Sequence, residues 1–207
     1  MNVCYIVWCV VYRLQFAEEA RTLENMKLLF TCITHDMMEP IGYLPWGLCA
    51  GCIYLLVLKI WRRFRRTSSE KNSLKHDIIN FLLIVYCITL LKLAFFSREP
   101  GSRTTVSTHL FDTWGTTMQA HAFLIENILM FVPFGILIPV AFSKMRGFVR
   151  CTATAFACSV LLEGMQFITG RGFCELDDVV TNTAGAVIGY MMYKIFLRLF
   201  PENTEHP

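Results

Sequence analysis

Five apolar runs punctuate the chain, each bounded by polar or charged segments: Tyr43–Ile60, Ile78–Phe96, Ala122–Phe142, Cys151–Thr169 and Val179–Phe200. Each approaches the roughly 20 residues needed to cross a hydrocarbon core about 30 Å thick at about 1.5 Å of rise per residue. Charges inside them are few. Lys59 ends the first and Lys92 lies near the end of the second, where a long stem lets the ammonium reach the head groups. Glu126 and Glu163 are the single charges of the third and fourth, and Lys194 and Arg198 occupy the last turns of the fifth. Lipid offers the backbone no water, so each run must satisfy its own hydrogen bonds, and helices are expected. The pattern predicts an all-α, polytopic transmembrane helix bundle of about five spans over residues 43–200. Pro133 removes a backbone donor and crowds the carbonyl of Leu129, so a kink is expected in the third span.

Composition agrees with that pattern. Of 207 residues, 55% are hydrophobic and 17% charged, where soluble domains carry about a quarter charged residues. A net charge of +3 with no basic patch interleaved with aromatics argues against nucleic acid. The nine cysteines are odd in number and lie mostly in apolar runs, so they read as small hydrophobes. Cys49 and Cys52 form a CxxC inside the first run, without the βαβ context of a redox motif. The five histidines lack metal-ligand spacing, so neither a metal nor a cofactor is assigned.

Basic residues in short connections mark the cytoplasmic side. Arg62, Arg63, Arg65, Arg66, Lys71 and Lys75 follow the first run, Lys144, Arg146 and Arg150 follow the third, and Lys194 and Arg198 close the fifth. The other side carries Arg98, Glu99, Arg103 and Asp112 in one connection and Arg171, Glu175, Asp177 and Asp178 in the other. This places the C-terminal tail, residues 201–207, in the cytoplasm. Residues 1–42 read as an extension. Val3–Tyr12 is apolar but short for a span and lacks a basic segment before it. Glu18–Lys27 is polar, suited to an amphipathic helix or to disorder. A start at Met37 or Met38 is the alternative reading.

Polar groups inside the runs are costly and need a reason. The third run holds Glu126 and Asn127 ahead of Pro133 and Gly135. The fourth holds Ser159, Glu163, Gln166 and Gly170, spaced four, three and four, hence on one helix face. The fifth repeats that spacing with Asp178, Asn182, Gly185 and Gly189. Gly185-x3-Gly189 admits a neighbouring backbone. Asp177 or Asp178 can cap the fifth helix, leaving the other acid for a site. Arg171, in the connection between these helices, presents a fork suited to carboxylate or phosphate, or pairs with Glu175, Asp177 or Asp178. Glu126, Asn127, Glu163, Gln166, Asp178 and Asn182 all fall within about 9 Å of the same membrane face, counted at about 1.5 Å per residue. A shared level predicts one polar pocket beneath the outer surface, whereas isolated helix-helix contacts need no common depth.

At these residues the chain resembles the VanZ-like family, known for reduced susceptibility to the glycopeptide teicoplanin. The resemblance covers about Tyr43–Tyr190. It is carried by Asn127 through Pro133-Phe134-Gly135, and by Glu163-x2-Gln166-x4-Arg171 followed by Asp177-Asp178-x3-Asn182-x2-Gly185-x3-Gly189-Tyr190. Glu175 stands where the family pattern favours Asp, which keeps the charge. The resemblance implies a multi-pass protein of the bacterial cytoplasmic membrane, without supplying a mechanism. Two functions compete. In one, a non-enzymatic factor binds membrane lipids, a lipid-linked cell-wall precursor or a lipoglycopeptide, with Asn127, Gln166, Arg171, Asp177 and Asn182 forming the binding site. In the other, a membrane-embedded hydrolase or transferase works on a lipid or precursor head group, with Glu163 or Asp178 as general base and Arg171 stabilising negative charge. A divalent ion between Glu163, Asp177 and Asp178 is compatible with the second, although no histidine supports it. The five runs carry no evident inverted repeat, which ranks a transporter last.

Overall fold

The computed structural model describes residues 21–36, 38–65, 73–96, 101, 106–107, 117–172 and 174–200. Expectations for residues 1–20, for the connection bearing Arg98, Glu99, Arg103 and Asp112, and for the tail 201–207 lie outside the described residues.

Five helices carry the architecture: α1 (Met38–Arg65), α2 (Ser73–Leu91), α3 (Met118–Ala141), α4 (Phe148–Ile168) and α5 (Leu176–Leu199). α2 widens into a π-helical turn at Lys92–Phe96, and a 3-10 turn, Ser143–Met145, joins α3 to α4. α3 runs on as helix past both Pro133 and Pro139. A two-residue parallel bridge pairs Val106 with Cys174 and Ser107 with Glu175, tying the connection after α2 to the start of α5. Residues 21–36 are helical and lead α1, so part of the polar segment Glu18–Lys27 is ordered as helix.

Four helical stretches are long and apolar enough to cross a membrane: Arg21–Phe64, Leu74–Phe96, Met118–Ala141 and Phe148–Ile168. The protein is a membrane protein. α5 carries more polar residues, yet it has the 24 residues of α3 and lies along it. At one end Asn127 of α3 meets Asp178 of α5, and at the other Tyr190 of α5 donates to the Arg146 carbonyl beyond the end of α3. α5 therefore traverses much of the depth that α3 does. The core is apolar around Phe131, Phe134 and Leu162, and the exterior is apolar as well, as lipid requires. Large apolar side chains such as Ile53, Leu56, Val149, Leu161 and Phe196 face outward, while Ser159, Glu163, Gln166, Asp177, Thr181 and Asn182 are buried.

The first hairpin, α1 with α2, is antiparallel. Arg62 grips Asp77 with two bonds of 2.6 and 2.7 Å at one end. At the other, the Lys92 ammonium lies 5.3 Å from the Trp46 ring centre. Between them Asn80 donates to the Tyr54 hydroxyl at 3.0 Å. Tyr86 of α2 then reaches the Met130 carbonyl of α3 at 3.1 Å, joining the hairpin to the remaining helices.

α3 and α5 run parallel with their backbones in contact. A Cβ on Gly185 would press into the Ile128 carbonyl, one on Gly189 into that of Val132, and one on Gly135 into that of Ala186. Small residues at this spacing let van der Waals contact replace the hydrophobic driving force that lipid withholds. α4 runs antiparallel to α5, with Asn182 bonded to Ser159 and Phe148 against Tyr190, ring centres 5.6 Å apart. These pairings bring Arg62, Lys144, Arg146, Arg150, Lys194 and Arg198 to one end of the bundle, and Lys92, Asn127, Glu163, Arg171 and Asp178 towards the other.

Adding a methyl at the seam should drive α3 and α5 apart. Gly185→Ala and Gly189→Ala should each destabilise the protein by about 1–3 kcal/mol, the usual cost of overpacking. Gly164, on α4, has open space around its Cα. Gly164→Ala should be neutral or stabilising by up to about 1 kcal/mol through helix propensity. Thermal unfolding in detergent compares the three. Equal losses would mean that the seam is not a close contact.

Candidate functional site

The site is built where α4 stops and α5 starts. α4 ends in a Schellman turn: Gly170 takes a φ of +63°, its N–H bonds to the Phe167 carbonyl at 3.0 Å, and the Arg171 N–H bonds to the Gln166 carbonyl at 2.8 Å. The left-handed conformation favours glycine, and it turns the chain so that Arg171 doubles back over α2. Arg171 Nη1 donates to the Phe95 carbonyl at 3.1 Å, and its guanidinium carbon lies 4.8 Å from the Phe95 ring centre and 5.8 Å from that of Phe96. Gln166, buried one turn earlier, donates from Nε2 to the Ala94 carbonyl. Both donors thus land on the π-helical turn at the end of α2, where the last carbonyls of a helix lack intrahelical partners.

α5 begins at Leu176 with Glu175 as its N-cap residue, and the Glu175 side chain makes no capping bond. The Glu175 N–H instead points at Glu163 Oε2 of α4, 3.4 Å away. Glu163 is only 4% exposed. A carboxylate at a helix N-terminus is stabilised by the positive end of the dipole, so Glu163 serves α5 from across the interface. One residue into the first turn, Asp177 is buried, and its carbonyl accepts from the Thr181 hydroxyl at 2.9 Å. Next to it, Asp178 accepts from Asn127 Nδ2 of α3 at 2.7 Å. One turn deeper, Asn182 Nδ2 donates to Ser159 Oγ at 2.9 Å, with both residues buried.

The residues singled out in the sequence therefore fall into connected contacts. Asn127 and Asp178 join α3 to α5, Ser159 and Asn182 join α4 to α5, and Glu163 faces the start of α5. Gln166 and Arg171 sit at the edge of this cluster and face α2. Among the described residues, the buried acceptors Gln166 Oε1 and Asn182 Oδ1 of this cluster have no hydrogen-bond partner. Unsatisfied buried acceptors invite a donor, either ordered water or a hydroxyl or amine of a ligand. Among the described residues no group of three metal-ligating side chains is gathered.

Four contacts have no counterpart in the sequence reading. The carbonyls of Ala94 and Phe95 become acceptors through a π-turn, a backbone event with no composition signal. Asp36 accepts from Gln119 Nε2 at 2.6 Å, linking the stretch that leads α1 to the first turn of α3. The acids just ahead of the first apolar run, Asp36 and Glu39, were the available hint. The Tyr86 bond to the Met130 carbonyl likewise joins α2 to α3 from a residue that reads as ordinary lipid-facing aromatic.

Comparison with known proteins gives a consistent picture. A family model described as VanZ/LLP1 matches residues 47–197. Protein VanZ of Enterococcus faecium is 32% identical over 115 residues, which is 54% of this chain and 71% of that protein. No solved structure matches.

The Ser159–Asn182 bond separates pairing from mere polarity. Ser159→Ala strands the Asn182 amide in a buried position and should cost about 1–3 kcal/mol. The double change Ser159→Ala with Asn182→Leu removes both partners and should cost less than Ser159→Ala alone. Chemical denaturation in detergent measures both. A double variant that loses the full sum of two single losses would show that the two side chains do not act as a pair.

Proposed function

This chain belongs to the VanZ/LLP1 family, and from that premise we propose that it is a multi-pass protein of the bacterial cytoplasmic membrane that binds a surface or lipid-linked head group near the outer leaflet. Binding there lowers susceptibility to glycopeptides of the teicoplanin type by limiting access to their target. The observation that carries this reading is the meeting of costly polar side chains from three helices at one level: Asn127 with Asp178, Ser159 with Asn182, and Glu163 at the start of α5. Sidedness is supported by the cations that share the opposite end of the bundle and by the positive-inside rule, which puts the C-terminus in the cytoplasm.

The chemistry of the cluster narrows the ligand class. Arg171 offers a fixed cation for phosphate or carboxylate, braced by the Phe95 and Phe96 rings. Gln166 Oε1 and Asn182 Oδ1 want donors. An anionic head group that also bears hydroxyl or amine groups fits both demands, with Asn127 and Asp177 fixing its orientation. Membrane lipids and lipid-linked cell-wall precursors have that character.

A second reading, catalysis on such a head group, draws on the burial of Glu163. A carboxylate withdrawn from water suits a general base. Asp178 fits the role less well, because the Asn127 amide already donates to one of its carboxylate oxygens.

Glu163→Gln distinguishes the two readings, since it keeps size and loses the charge. In a susceptible bacterial host at matched expression, binding predicts that Glu163→Gln still protects against teicoplanin. Arg171→Ala loses protection, and Arg171→Lys restores little of it, because an ammonium cannot reproduce the planar fork. Membrane lipids and wall precursors should be identical with and without the protein. A Glu163→Gln variant that is abundant but inactive, together with a changed lipid or precursor profile, would overturn binding in favour of catalysis.

A further inference from the structure

The end of the bundle away from the polar cluster holds a feature that the proposed function leaves unused. Phe148 of α4 and Tyr190, Met191, Lys194, Ile195 and Arg198 of α5 line a groove of about 250 Å³. Its walls are aromatic and aliphatic, and its mouth carries two cations one helical turn apart. The Lys194 ammonium stands 5.9 Å from the Tyr190 ring centre. Tyr190 is itself fixed, buried and bonded through its hydroxyl to the Arg146 carbonyl at 2.7 Å. Phe148 packs edge-on against the same ring. A rigid aromatic floor therefore underlies two exposed positive charges.

Among the described residues no carboxylate is paired with these charges. The sequence has no acid between Glu126 and Glu163, nor between Asp178 and Phe200. Those two stretches supply Lys144, Arg146, Arg150, Lys194 and Arg198. Arg150 reaches back to the Lys144 carbonyl at 2.8 Å, so the turn between α3 and α4 is ordered with its cations outward. Asp77, at the same end, is held by Arg62 of the first hairpin. Five cations with no acid paired to them among the described residues, beside an apolar groove at the rim of a membrane protein, select a ligand that is anionic at one end and apolar at the other.

We propose that this groove binds an anionic phospholipid of the adjoining leaflet. Lys194 and Arg198 hold the phosphate, and Phe148, Met191 and Ile195 receive the upper part of an acyl chain. Basic recesses between membrane helices bind anionic head groups in this way, and each Lys or Arg near such a surface contributes enough to change affinity several-fold. The guanidinium supplies paired donors to phosphate oxygens, and Lys194 adds a point charge.

The test uses the full chain in detergent, offered equimolar phosphatidylglycerol and phosphatidylcholine, with bound lipid counted by native mass spectrometry. The expected result is one retained phosphatidylglycerol in preference to phosphatidylcholine. Lys194→Gln with Arg198→Gln should weaken it about 30-fold, two such charges being lost. Lys194→Arg with Arg198→Lys keeps the charge and should keep the lipid. Ile195→Trp fills the groove without touching a charge and should lose the lipid, so the outcome does not hang on one variant. Lys144→Gln with Arg150→Gln removes two charges from the same end outside the groove and should change little. Equal weakening by that control and by the groove variant would overturn the proposal in favour of a diffuse positive field. No preference for phosphatidylglycerol would also overturn it. If that preference then appears on truncation after Phe200, which removes Glu202 and Glu205, the occupant is the chain's own acidic tail.

Discussion

Close approach of α3 and α5 is the constraint from which the rest of the bundle follows. Gly135, Gly185 and Gly189 let carbonyls of one helix lie where side chains would otherwise stand. In lipid, apolar side chains gain nothing by leaving their surroundings, so association rests on contact and on polar bonds. That seam sets the register that puts Asn127 opposite Asp178. It also fixes the face that α5 turns towards α4, and with it the Ser159–Asn182 bond. Without the seam there is no common level for the polar side chains to share.

The exterior is apolar, and the interior sets buried polar side chains beside a hydrophobic core around Phe131 and Phe134. Each buried polar group therefore has to be answered inside the protein. Glu163 is answered by the start of α5, Asp178 by Asn127, and the carbonyls of the π-turn that ends α2 by Gln166 and Arg171. The same side chains thus complete helix ends and furnish the candidate site. Structural and functional roles are not alternatives here, because helix termini are where a membrane protein has directed donors and acceptors left to offer a ligand.

Much of this was legible from residue spacing. Apolar run length gave five helices, and the four-three-four repeats in α4 and α5 put Ser159, Glu163 and Gln166 on one face and Asp178, Asn182 and the glycines on another. Both repeats report facts about a single helix, which periodicity can carry. What spacing could not carry was which neighbour each face meets. Arg171 read as a partner for loop acids or for an anion. Its bond to the Phe95 carbonyl depends on a π-turn that widens the end of α2, and no residue type announces such a turn. Asp36 was missed for a related reason: its importance comes from Gln119, 83 positions away. Helical structure from residue 21 onward was open in the sequence, since a short polar segment supports helix and disorder alike.

The π-turn at Lys92–Phe96 has a consequence for how the protein tolerates change. The acceptors that Gln166 and Arg171 use there belong to the main chain, so they persist whatever side chains stand at positions 94 and 95. The hydrogen bonds of this junction are consequently encoded on one side only. Drift on the α2 side can alter the rings beneath the guanidinium while the bonded link endures, whereas a single replacement at 166 or 171 removes a link that no compensating replacement across the interface can restore.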